Sequence, residues 1–258
     1  MTTIASDTGR RILVTLNTAG TSRPAIDIAS HLAGSLNLLL EGVFIEDEGL
    51  LDLSELPFLR EISPTTFLEQ AVDPQRMRQS LAAQARQLED IVQRQAAQTG
   101  VQCLFRTWRG HATLQSLSSE FDAHIISVSG VQAYRQTVIK KNKNPIANLY
   151  LILDEHAGTE KLVTAVHGLT GRLPFTVSVL FGTVAGKDHA ARVEEVHQLT
   201  ARLQPRTCED IQGLTGLASV LSDADSPMLF IEAVNPLLLD PAFEHLIKSL
   251  AATVFIVR

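Results

Sequence analysis

Arg11-Ile12-Leu13-Val14-Thr15-Leu16-Asn17 is a run of leucine and β-branched residues that stops at Thr18, Ala19 and Gly20. A strand covered on both faces, as in a parallel sheet, requires a near-continuous apolar run of this kind. Ser22 then reads as the N-cap of a helix, Pro24 falls near its first turn, and Ala25, Ile28, Ala29 and Leu32 recur at helical spacing up to Gly34. A second apolar run follows over 36–45. Strand, helix and strand in this order predict a right-handed parallel crossover.

The pattern continues outward. Residues 46–73 are irregular, with Leu50, Leu51, Leu53, Leu56, Phe58, Leu59, Ile62, Phe67 and Leu68 set among acids and prolines. A long helix is predicted over 74–99, with Met77, Leu81, Ala85, Leu88 and Val92 on one face and a stop at Gly100. Strands are expected at 101–108 and 124–128, with a short helix at 112–121. Leu149-Tyr150-Leu151-Ile152-Leu153-Asp154 then repeats the opening run, a helix is expected over 159–171, and 175–181 follows at the same offset of 137 residues as the first strand pair. A helix at 190–203, a weak strand around Cys208 at an offset of 105, a strand at 228–233, a helix at 241–250 and a strand at 253–257 complete the repeat. The offsets imply about 32 extra residues in the first half, mostly at 46–73.

The expected fold class is therefore α/β, with two tandem open parallel-sheet domains carrying helices on both faces. Residues 1–147 form the first domain, with 48–73 inserted, and 148–258 form a shorter second. Two five-stranded units need ten strands, and nine are legible. Strand 149–153 is assigned to open the second domain because Asp154 and the helix after it copy the Asn17 region, which leaves the first domain without a final strand.

Composition bounds the function. The 258 residues are 45% hydrophobic and 19% charged, with 22 Lys+Arg against 28 Asp+Glu. A net charge of −6, with no basic block beyond Lys140, Lys141 and Lys143, argues against nucleic acid as a partner. The apolar runs fall short of the ~20 residues that span a bilayer, so no membrane insertion is expected. Residues 1–11 lack the apolar stretch of an export signal, and two cysteines make no disulfide framework, so a cytoplasmic location is expected. Cys103 and Cys208 read as small buried hydrophobes. The eight histidines show no ligand spacing, so no metal site is expected. Ser127-Val128-Ser129-Gly130 lacks the leading glycine of a nucleophile elbow, so no catalytic residue is assigned.

Taken together, Ile12-Leu-Val-Thr-Leu-Asn17 with Ser22 and Ala25, the strand end Gly42-Val-Phe-Ile45, the turn at Gly100-Val101, Arg109-Gly110, and Asp122-Ala-His-Ile-Ile-Ser-Val-Ser-Gly130 resemble the universal stress protein family. The whole chain is similar to tandem members of that family. The resemblance implies an open α/β sheet, frequent binding of ATP or a related adenine nucleotide, no demanding catalytic apparatus, and homodimers formed through last strands. It places remnant nucleotide contacts at Asn17, Val43 and Gly130 in the first half and at Asp154 in the second. The family's glycine loop after the fourth strand, Gly-x2-Gly-x9-Gly-Ser/Thr, has Ala133 and Lys143 at its second and third glycine positions. No glycine occurs between Gly130 and Gly158, or after Gly216. Side chains there block the close backbone approach that phosphates need, so no ATP cofactor is expected.

A non-catalytic stress-response or regulatory binding protein is thus the leading expectation, not an enzyme. A small-molecule or AMP/ADP-like binder using the remnant pocket is the alternative. Segment 48–73 either covers the first sheet edge or offers Leu56, Phe58, Leu59 and Ile62 to a protein partner, with its acids as a wet rim. A homodimer is expected, through the terminal strands or this segment.

Overall fold

The computed structural model describes residues 11–16, 19–62, 67–110, 125–129, 147–153, 159–170, 175–182, 194, 198, 200–222, 224, 227–250 and 252–258. Its elements run β1 (Arg11–Leu16), α1 (Ala19–Leu36), β2 (Leu39–Asp47), α2 (Glu48–Ser54), β3 (Arg60–Ile62), β4 (Glu69–Ala71), α3 (Pro74–Thr99), β5 (Cys103–Gly110), β6 (Ile125–Ser129), β7 (Ala147–Leu153), α4 (Thr159–Thr170), β8 (Phe175–Gly182), β9 (Thr207–Ile211), α5 (Gly213–Leu221), β10 (Met228–Glu232), α6 (Pro241–Ser249) and β11 (Thr253–Val257). The expected helix at 112–121 lies outside the described residues, as does most of the one at 190–203.

All nine expected strands join one sheet in the order β5-β2-β1-β6-β11-β10-β7-β8-β9. Every neighbour pair is parallel except β6 with β11. The internal repeat is written in the register. Ile12 faces Leu40 and Leu16 faces Phe44, and 137 residues later Leu149 faces Val177 and Leu153 faces Phe181. Ile12 also faces Ile125, as Leu149 faces Met228. Strand β7 thus sits between β8 and β10, as β1 sits between β2 and β6.

The register corrects the third-strand offset. Gly42 faces Phe105 and Val179 faces Cys208, so Phe105, not Cys103, is the counterpart of Cys208. The third and fourth strands both repeat at 103 residues, and the first half holds 34 extra residues.

Strand β11 is parallel to β10 along one side and antiparallel to β6 along the other, Thr253 facing both Met228 and Ser129. It occupies the place that a fifth strand of the first half would take. Both its edges are paired within the chain, which overturns the terminal strands as a route to a homodimer. Among the described residues, the sheet's open edges are β5 and β9.

Apolar residues cover the sheet on both faces. On one, α1, α3 and α4 pack over Ile12, Leu16, Leu40, Phe44, Leu151, Phe230 and Phe255. Helices α1 and α4 meet across the junction of the halves, where Gly168 comes so near Ser35 that a Cβ would lie 2.7 Å from its Oγ. On the other face, α5 and α6 pack over Tyr150, Ile152, Leu229, Ile231 and Ile256.

Two local readings are corrected. Helix α1 starts at Ala19, before Ser22, and runs through Gly34 to Leu36, where Asn37 takes the left-handed conformation at φ 53° that ends it. The described residues of 46–73 are not irregular. Asp47 caps α2 through the Gly49 amide at 2.9 Å, and β3 and β4 form an antiparallel hairpin. Helix α3 behaves as its spacing predicts, burying Ala85, Leu88, Val92 and Ala96 and ending at Gly100 with φ 70°.

Candidate functional site

Open α/β sheets bind ligands at the carboxyl ends of their strands. In this chain that rim is formed in the first half by the ends of β1, β2, β5 and β6. Asn17, Gly130 and Asp154, three of the four residues expected to line it, lie outside the described residues. Val43, the fourth, faces Thr15 and Arg106 along the sheet. It is fully buried in the same cluster as Leu13, Ile45 and Ile126. Contact with an adenine would need surface that Val43 does not expose.

At the end of β5, Trp108 is the only tryptophan of the chain and packs on this cluster. Its ring lies over Gly110, where an added Cβ would come within 2.4 Å of the indole. The space a side chain would take at Gly110 is filled by the ring. Arg109, between them, holds Glu46 of β2 at 3.2 Å. Gly110→Ala is expected to displace the indole, costing about 1–3 kcal/mol as overpacking does. Tryptophan emission would shift to longer wavelength with the lost packing, and an unchanged spectrum and melting temperature would contradict this contact.

Further down β2, the buried Glu41 lies between Arg11 Nη1 at 3.0 Å and Arg106 Nε at 2.6 Å. With a guanidinium on either side, Glu41 ties β2 to β1 and to β5.

The second half shows its loop after the fourth strand. Strand β10 ends at Glu232, and Ala233-Val234-Asn235-Pro236 leads into a 3-10 turn at Pro236–Leu239. Asn235 is buried and its Oδ1 accepts from the Leu237 amide at 3.0 Å. The Ala233 amide donates to the Val257 carbonyl of β11, the Leu238 amide to the Asn235 carbonyl and the Asp240 amide to the Leu237 carbonyl. Asp240 then caps α6 through the Ala242 amide. Pro236 has no amide proton, so these donors of the loop are spent inside the chain. In the sequence this loop stands out only by its lack of glycine. Asn before Pro at the head of a helical turn was the signal that its amides are capped.

The cysteines stand apart, on the two open edges of the sheet. Cys208 is exposed and Cys103 half-buried, which corrects the reading of both as buried hydrophobes. Partial burial pushes both thiols up from their ordinary pKa, with Glu89 adding to the effect at Cys103. Both are kept as thiols at neutral pH. Eight strand spacings separate their strands, on the order of 40 Å, so they form no disulfide with each other. Among the described residues no three His, Cys, Asp or Glu side chains cluster to hold a metal ion.

In the 48–73 segment, Leu51 is buried while Leu56, Phe58 and Ile62 are exposed and Leu59 half-buried. Glu55 pairs with Arg78 of α3, fixing the end of α2. The segment is anchored through α2 and leaves most of its large side chains outward.

No protein-family model matches the sequence, and no curated protein sequence does. Among solved structures the fold is similar to that of a universal stress protein from Archaeoglobus fulgidus DSM 4304, at a TM-score of 0.52 and 8% identity over 96% of each chain. A protein from the universal stress protein family from Burkholderia pseudomallei aligns with a TM-score of 0.29 and 15% identity, over 80% of this chain and 98% of that one. The first likeness, at this identity, shows the universal-stress-type fold.

Proposed function

We propose that the chain is a non-catalytic binding protein of a stress-response or regulatory kind, which keeps the universal-stress fold and has given up the ATP site. The observation that carries this reading is the self-capped turn after β10, where Asn235 and the chain's own carbonyls take amides that a phosphate would need. The missing glycines after Gly130 and the burial of Val43 support the same reading in the first half. Halves 1–147 and 148–258 act on this view as one body joined by β11, working in the cytoplasm. Self-association is left to the open edges β5 and β9, and light scattering from a strict 28.1 kDa monomer at high concentration would reject it.

Calorimetric titration with ATP, ADP and AMP is expected to show no binding tighter than millimolar. Micromolar ATP affinity would refute the loss of the site. Micromolar AMP or ADP binding without ATP binding would instead favour the alternative, a remnant pocket around Asn17, Val43 and Gly130 for a ligand without a triphosphate.

A further inference from the structure

Nine large apolar side chains are exposed among the described residues, and six of them fall between positions 53 and 68: Leu53, Leu56, Phe58, Ile62, Phe67 and Leu68. These six are between 37% and 79% exposed. Such a concentration in one short segment differs from the singly scattered apolar residues of an ordinary surface. The hairpin β3–β4 has only three residues per strand, and a two-stranded ribbon of this size is marginal without a surface to pack on.

Charge selects what covers it. Residues 46–73 contain eight carboxylates and a single base, Arg60, a net −7, while the whole chain carries −6 and the remainder therefore +1. Arg78 of α3 pairs with Glu55, Arg109 with Glu46 and Arg60 with Glu69, and the segment as a whole stays strongly acidic. A second copy laid on this face would set −7 against −7, and an anionic lipid surface would be repelled in the same way.

We propose that the exposed apolar side chains of 53–62 and 67–68 dock a cationic amphipathic segment of another protein, with large apolar residues seated on Phe58, Ile62, Phe67 and Leu68 and Lys or Arg on the acids of the same segment. The proposal rests on the binding-protein reading above and names the partner's chemistry. It is read on a different face from the nucleotide titration, so either can fail alone.

The probe is a fluorescein-labelled 18-residue amphipathic peptide of Lys and Leu, titrated with the full chain by anisotropy, beside its Glu/Leu counterpart. Saturable binding of the Lys/Leu peptide only is expected, weakening as salt is raised. Phe58→Ser with Phe67→Ser, which leaves the net charge unchanged, should weaken it at least tenfold, and Asp52→Lys with Glu69→Lys should do likewise, with unchanged far-UV dichroism in both. No binding of the Lys/Leu peptide would overturn the proposal. Equal binding of the Glu/Leu peptide, or undiminished binding by the serine variant, would overturn it as well. So would a dimer in light scattering that the serine variant dissociates, or binding to vesicles of phosphatidylglycerol.

Discussion

Removal of residues 253–258 is expected to leave the entire chain unfolded or aggregated, not merely its second half. Strand β11 is buried at every position, and Val254, Phe255, Ile256 and Val257 lie at the centre of the sheet between β6 and β10. Burying a large apolar side chain is worth roughly 1.5–3 kcal/mol, so losing four approaches the ~5–15 kcal/mol that stabilises a whole domain. The cut would also expose two apolar edges, β6 with Ile125 and Ile126, and β10 with Leu229, Phe230 and Ile231, which invite edge-to-edge association. Size-exclusion chromatography and circular dichroism of the shortened chain check this. A soluble, folded monomer would contradict it.

Phe255→Ala is the graded form of the same test. The Phe255 ring is fully buried and stacks on Phe230 with centroids 4.6 Å apart and planes inclined by 12°. Truncating a buried phenylalanine costs about 3–5 kcal/mol. The effect should reach the first half, because β11 is bonded to β6 as well as to β10. Denaturant unfolding followed by the fluorescence of Trp108, in the first half, and by far-UV dichroism should show both midpoints falling together. A Trp108 transition that stays in place while dichroism shifts would mean that the halves unfold separately.

The sequence made all nine strands of the main sheet legible, because strands covered on both faces carry unbroken apolar runs such as Ile12–Leu16 and Leu149–Leu153. The repeat was legible for the same reason, since two such runs fix an offset of 137. The third-strand offset was misread by two residues because β9, Thr-Cys-Glu-Asp-Ile, is a polar edge strand with little apolar pattern to align. Helix α1 outran its glycine because packing of Leu32, Ala33 and Leu36 on the sheet outweighs the modest cost of one Gly34 in a helix. The antiparallel meeting of β6 and β11 joins residues more than a hundred positions apart, and no local propensity states which strand fills an empty edge. Of the candidate site, Val43 was placed on the correct strand but its burial depends on tertiary packing. The Asn235 cap was readable, since Asn-Pro is a helix-start signal, yet only the register with β11 shows that Ala233 is tied down as well.

The unexposed centre of the sheet gives the most direct check on this account, in which a single strand closes both halves into one cooperative body. Native-state hydrogen exchange of the backbone amides in β6 and β11 should show protection equal to that of β1 and β7, all exchanging through global unfolding. Fast exchange confined to β6 and β11, with β1 and β7 still protected, would contradict it and divide the chain into two separately stable units.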